Sequence, residues 1–132
     1  MVKKALNFRN IAKNIARLGD EKFAKDIVVF NVCKISSVTD YQIIMGAESH
    51  PQLEAIFRNI SDKLKESNIF PLRTEGGTAS SWVVLDFGGV IVHLMLDNIR
   101  RFYSLERLWI DGKSVKWKTK KNVKKTNKTK NR

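Results

Sequence analysis

The chain has 132 residues, 42% hydrophobic and 29% charged, with one cysteine and a formal net charge of +12. That length suits one domain with a sizeable core. No apolar run approaches the roughly 20 residues of a membrane span, and the lone Cys33 excludes a disulfide framework and a cysteine-based zinc site.

The N-terminal stretch from Met1 to Lys25 is basic and amphipathic, as organellar presequences are, but it carries Asp20 and Glu21 and has no apolar signal core. It reads as the first helix of the fold, from about Asn7 to Leu18. Phe8, Ile11, Ala12, Ile15 and Leu18 lie on one stripe, and Gly19 serves as the stop. Ile27 to Cys33 is an apolar, β-branched run and predicts an interior strand. Ser36, Ser37, Thr39 and Asp40 make a polar turn, and Tyr41 to Gly46 predicts a second strand.

Ser49 and Gln52 have capping-box spacing, with Pro51 in the first turn, where its missing N–H costs little. They open a second helix whose buried stripe is Leu53, Ile56, Phe57, Ile60 and Leu64 and which Asn68 ends. Glu54 and Arg58 pair on its outer face. Pro71 to Thr74 predicts a short edge strand, and Glu75 to Ser81 a Gly- and Ser-rich loop.

Trp82 to Leu96 reads as a β-hairpin about Gly88-Gly89, two residues that suit the positive φ angles of a type I′ turn. That turn sets Val84 opposite His93 and Trp82 opposite Met95. Val83, Leu85, Phe87, Val90, Val92 and Leu94 then share a core face. Trp82, Val84, Asp86, Ile91, His93 and Met95 share a second face that is neither plain core nor plain solvated surface. Asp97 caps a helical piece through Phe102, and Tyr103 to Trp109 forms another short helical or turn segment. From Lys113 to Arg132 there are ten Lys/Arg and no acid, which leaves 15 basic against 13 acidic residues in the rest. This tail, residues 113–132, is expected to be disordered, with the folded domain at 1–112. The order α-β-β-α-β-β-β-α predicts a single α/β domain around one mixed sheet.

These residues bear on several chemistries. The Gly76-Gly77-Thr78 stretch lacks the Gly-Lys-Ser/Thr end of a phosphate-binding loop. Asp86 and His93 lie diagonally across the hairpin within hydrogen-bond or water-bridged reach, which suits an acid–base pair or an oriented polar patch. Ser80 and Ser81 lack the setting of an activated nucleophile. His50 and His93 lie far apart in the chain, and closely spaced acids for two-metal chemistry are missing, so no catalytic residue, metal or cofactor is expected. Tyr103, Leu105, Leu108 and Trp109, with Trp82, form a dense aromatic and aliphatic set. Leu105 and Leu108 suit the covering of an open sheet edge, while the aromatic members suit a protein interface. A patch of this kind also suits self-association of the free protein into a homodimer. The tail lysines Lys116, Lys118, Lys120, Lys121, Lys124 and Lys125 suit salt-dependent contact with RNA, with Trp117 stacking on a base. They lack the apolar spacing of a membrane anchor.

One ordered set of motifs is specific. Asp26 to Val32, Ser36 to Tyr41, Gln52-Leu53, Trp82 to Gly88, Val90 to His93, and Tyr103-x-Leu105-Glu106-x-Leu108-Trp109 together resemble the Iojap-related ribosomal silencing factor family. The likeness covers about Phe8 to Asp111. It implies a nucleotidyltransferase-like fold without that superfamily's catalytic acids, hence no enzyme. It also implies binding to the joining face of the large ribosomal subunit through large-subunit protein number fourteen. Docking of the small subunit would be blocked and translation repressed in the cytoplasm. Trp82, Asp86, His93, Tyr103, Leu105, Glu106 and Trp109 are the expected partner-binding residues. Asn31, Ala47-Glu48 and Gly89 depart from the family's usual Asp, Gly-Thr and Asp. The alternatives are a nucleotide-binding relative of nucleotidyltransferases and a tail-driven RNA-binding protein of ribosome biogenesis.

Overall fold

The computed structural model describes residues 7–77 and 79–118. Helix α1 (Phe8–Glu21) opens on Asn7, whose side-chain oxygen accepts the Asn10 N–H at 3.1 Å. It buries Ile11, Ala12, Ile15, Ala16 and Leu18. The helix runs through Gly19, the expected stop, and ends at Lys22, followed by Phe23 at φ 65°. Gly19 serves packing instead: a Cβ there would collide with Met45 Sδ.

Strand β1 (Lys25–Asn31) pairs antiparallel with β2 (Tyr41–Ala47), every residue of which is buried. Helix α2 (His50–Glu66) begins as its sequence predicts, with Ser49 Oγ accepting the Gln52 N–H at 3.2 Å and Pro51 in the first turn. The glutamine side chain reaches back to the N–H of Glu48 at 2.7 Å. Asn68 stands just past the helix at φ 63°.

A short edge strand β3 (Arg73–Glu75) pairs with β4 (Trp82–Asp86), which forms the hairpin with β5 (Val90–Leu96). Trp82 faces Met95, Val84 faces His93 and Asp86 faces Ile91, the register the sequence predicts. The turn differs from the expected type I′. Only Gly88 takes a positive φ, at 90°, which is the type II′ pattern. Gly89 is required for another reason, since a Cβ on it would strike the Phe8 ring.

Helix α3 (Asp97–Tyr103) follows, then a 3-10 turn (Leu105–Trp109) and strand β6 (Lys113–Ser114). Asp97 is the first helical residue rather than its cap and makes no capping hydrogen bond. It instead lies 3.7 Å from Lys25 Nζ. The six-stranded sheet has the order β3-β4-β5-β2-β1-β6, with β2 and β5 parallel and the other pairs antiparallel. Helices α1 and α2 cover one face and form the main core with Val29, Ile43, Met45, Val83, Leu85, Val92 and Leu94.

The expected domain limit at residue 112 needs correction. Lys113 and Ser114 pair with Asn31 and Phe30, and the Val115 N–H donates to Val29 O at 2.8 Å. Val115 is buried in the core, Trp117 packs against it, and the Arg17 Nε–H donates to Trp117 O at 3.1 Å. Apolar residues at 115 and 117 alternate with lysines at 116 and 118, a period-two pattern that the local charge obscures. No helix among the described residues is long and apolar enough to cross a membrane.

Candidate interaction surface

The second face of the sheet carries Gln42 and Ile44 from β2, Ile91, His93 and Met95 from β5, and Trp82, Val84 and Asp86 from β4. Ile44 and Met95 are fully buried there. Helix α3 packs over the near end of β2, where a Cβ on Gly46 would crowd Asp97 Oδ1 and Arg100 Nη1. The rest of the face opens into a groove of about 280 Å³ lined chiefly by Gln42, Arg73, Asp86, His93, Leu105 and Trp109.

His93 is the pivot of this face. The Trp82 indole N–H donates to its Nδ1 at 3.2 Å, and its Nε2 lies 3.0 Å from Gln42 Oε1. With Nδ1 accepting, the network assigns the proton to Nε2, which donates to Gln42. Burial pushes the pKa of His93 down from 6.5 to about 4, so the ring is neutral at physiological pH. Its 5.5 Å centroid separation from Trp109 and 6.0 Å from Trp82 join the two indoles through one imidazole. The Tyr103 ring lies tilted at 51° to that of Trp82 with the centroids 5.2 Å apart, and Phe102 meets Tyr103 edge-on at 4.9 Å.

No direct hydrogen bond joins Asp86 and His93. Asp86 Oδ1 accepts the Gly88 N–H at 2.8 Å and its Oδ2 lies 3.3 Å from Arg73 Nη2. Both residues line the groove, each with its own partners. Among the described residues no group of three or more His, Cys, Asp or Glu gathers in a way that could hold a metal ion.

The chain leaves α3 through Ser104 in the left-handed region at φ 47° and enters the 3-10 turn. Arg100 fixes this corner. Its buried guanidinium donates to Glu106 Oε2 at 3.0 Å, to Lys25 O at 3.0 Å and to Asp26 O at 2.7 Å. Glu106 is therefore engaged within the fold. Leu105 is half-buried in the groove, whereas Leu108, expected to cover the sheet edge, is 68% exposed. Phe102 and Tyr103 are exposed too, and the indoles of Trp82 and Trp109 are half-buried. Together they form an aromatic surface along one rim of the groove.

Of the tail lysines, Lys116 and Lys118 lie among the described residues, while Lys120, Lys121, Lys124 and Lys125 fall outside them. Trp117 packs against the core with Lys118 Nζ 5.6 Å from its ring centroid, which departs from the expected free stacking platform.

Two structural residues escape a reading of the sequence. Gln42, a polar side chain in an otherwise apolar strand, is the available sign of the histidine's partner. Arg100 carries no sign, because its acceptors are main-chain carbonyls at the distant start of β1.

A family model described as ribosomal silencing factor during starvation matches residues 5–132. The chain is 38% identical over 107 residues to a ribosomal silencing factor of Bacillus subtilis, covering 81% of this chain and 91% of that one. It is 33% identical over 100 residues to the chloroplastic Iojap protein of Zea mays, covering 76% of this chain and 43% of that one. A mouse protein named for mitochondrial assembly of the ribosomal large subunit is 34% identical over 89 residues, covering 65% of this chain and 39% of that one. A solved Chromobacterium violaceum structure superposes with a TM-score of 0.76 at 28% identity, covering 86% of this chain and 94% of that one.

Proposed function

The chain belongs to the ribosomal silencing factor family, and from that membership we propose that it represses translation by occupying the joining face of the large ribosomal subunit. The small subunit would then clash with it, and the repression needs no bond-making step. The family's description favours the ribosome as partner, and the mouse relative's name favours its large subunit. Large-subunit protein number fourteen is the contact that the sequence resemblance implies.

The aromatic surface at Trp82, Tyr103 and Trp109, fixed from below by neutral His93, carries this reading. Trp82, held by its hydrogen bond to His93, and half-buried Trp109 lose little entropy on docking, which suits them as interface anchors. Asp86 and His93 support this surface instead of catalysing, since the carboxylate and both ring nitrogens are engaged. Glu106 positions the 3-10 turn that carries Leu105 and Trp109. The basic tail adds affinity by contacting ribosomal RNA.

The test is subunit joining with purified subunits and the protein in excess. Monosome formation is expected to fall, and Trp109→Ala to restore it. Undiminished joining in the presence of the intact chain overturns the proposal.

A further inference from the structure

Gln42 of β2 is only 7% exposed, yet it lines the groove. Its register neighbours are Phe30 on β1 and Ile91 on β5. The orientation of its amide follows from His93. Nδ1 of the imidazole accepts the Trp82 indole N–H at 3.2 Å, so the ring proton sits on Nε2. That proton needs an acceptor, which Gln42 Oε1 supplies at 3.0 Å. The two N–H donors of the amide are then directed away from the imidazole. No hydrogen bond among the described residues engages the amide nitrogen, and no fully buried side-chain nitrogen or oxygen there lacks a partner. The nitrogen therefore reaches the open space of the groove.

The rest of the groove limits what can accept from it. Val38, Val84, Ile91, Leu105 and Trp109 supply apolar walls. At the β3 rim Arg73 pairs with Asp86 at 3.3 Å, and Glu75 has no ion pair among the described residues. One cation thus faces two carboxylates, which disfavours a carboxylate or phosphate as the acceptor. A neutral carbonyl fits. The groove crosses β3, β4, β5 and β2, three interstrand steps of about 4.8 Å, or about 14 Å in all. About four to five residues of extended chain span that distance.

We infer that the groove takes an extended segment of a protein partner laid across the strands, and that the Gln42 amide N–H donates to one of its main-chain carbonyls. This rests on the docking role of the groove proposed above and names the chemistry it reads. A donor on a nearly closed floor is selective, because a partner that covers it without an acceptor forfeits its hydration. An RNA strand carries carbonyls on its bases too, but it would bring its phosphates onto the acid-rich rim.

Co-sedimentation with isolated large ribosomal subunits, comparing the intact chain with Gln42→Met, Gln42→Glu and Trp109→Ala, tests this. Methionine fills a similar volume without a donor. Glutamate keeps an oxygen for His93 but sets a second oxygen where the donor stood. Both variants are expected to bind about tenfold more weakly or worse. The indole N–H signal of Trp82, read by NMR, is expected to stay in place in Gln42→Met. Full affinity in Gln42→Met beside a weakened Trp109→Ala overturns the inference and leaves docking of the groove standing. A weakened affinity that arrives together with loss of the Trp82 signal also overturns it, since Gln42 then acts only by holding His93. Failure of the intact chain to bind the subunits overturns both readings. Binding of an oligouridine RNA that Gln42→Met abolishes overturns the protein segment in favour of a base. If Gln42→Met does not fold, Gln42→Glu carries the test, and an unchanged affinity there overturns the inference.

Discussion

The indole N–H of Trp82 donates to Nδ1 of His93 across the β4–β5 pair at 3.2 Å. The bond requires a neutral acceptor nitrogen, and burial supplies that condition by lowering the histidine pKa to about 4. An aromatic surface is thereby fixed to the sheet by one proton's absence.

Stability should therefore depend on pH through His93. The folded pKa lies below the unfolded value of 6.5, so between the two the unfolded chain binds more protons. The contribution is fully present above about pH 6.5 and is lost as pH falls toward 4, amounting to about 3 kcal/mol. Urea midpoints measured from pH 7.5 down to 4.5 should fall more steeply for the intact chain than for His93→Gln. Equal slopes in the two proteins would sink this account.

Removing the donor gives a second expectation. Trp82→Phe keeps an aromatic ring but leaves Nδ1 of a buried histidine without its partner, at a cost of about 1–3 kcal/mol. The histidine should then titrate closer to neutral pH, since water must enter to satisfy it. NMR titration of the imidazole proton signals reads this directly. An unmoved pKa with unchanged stability would show that the bond contributes nothing.

Arg100 and Glu106 decide between two roles for the carboxylate. If Glu106 chiefly positions the 3-10 turn, Glu106→Gln lowers stability by about 1 kcal/mol together with subunit affinity. Arg100→Lys should cost more, about 2 kcal/mol, because an ammonium cannot reproduce the fork that reaches Glu106, Lys25 O and Asp26 O. Chemical denaturation and co-sedimentation with large subunits measure the two effects. An affinity loss without any stability change in Glu106→Gln would assign the carboxylate to the partner instead.

The hairpin is legible in the chain because a two-residue turn fixes register and period-two alternation fixes the faces, which together place Trp82 and His93 on one face. Partner choice within the face is not legible. Sequence adjacency favours Asp86 for His93, yet Gln42, 51 residues away, holds it through the β2–β5 parallel pairing. Glycines are the other blind spot. Gly19 and Gly89 look like a helix stop and half of a turn, but each yields room to a side chain from a distant element, Met45 and Phe8.

That last contact is itself testable. Gly89→Ala should destabilise the fold by about 1–3 kcal/mol, because the new methyl collides with the Phe8 ring at the start of α1. The cost should shrink in a Phe8→Ala background, where the ring is gone. A double-mutant cycle with a coupling energy near zero would mean that the clash is relieved by other movements. Aspartate, which the resembling family commonly carries here, should fare worse than alanine, since it adds a charge beneath the ring.

The C-terminal segment separates folding from RNA contact. Ending the chain at residue 112 removes β6, buried Val115 and half-buried Trp117, together with the Arg17–Trp117 hydrogen bond. Burying a valine is worth about 1.5–3 kcal/mol, so with the indole's share the loss should exceed about 3 kcal/mol. Ending it at residue 118 keeps those contacts and should leave thermal unfolding within about 0.5 kcal/mol of the intact chain. Any affinity lost in the longer truncated chain is then a charge effect, and raising salt should narrow its difference from the intact chain. Affinity lost in the shorter chain, without that control, would confuse an unfolded domain with a missing RNA contact. Equal melting of the two truncated chains would show that the 113–118 strap contributes no stability.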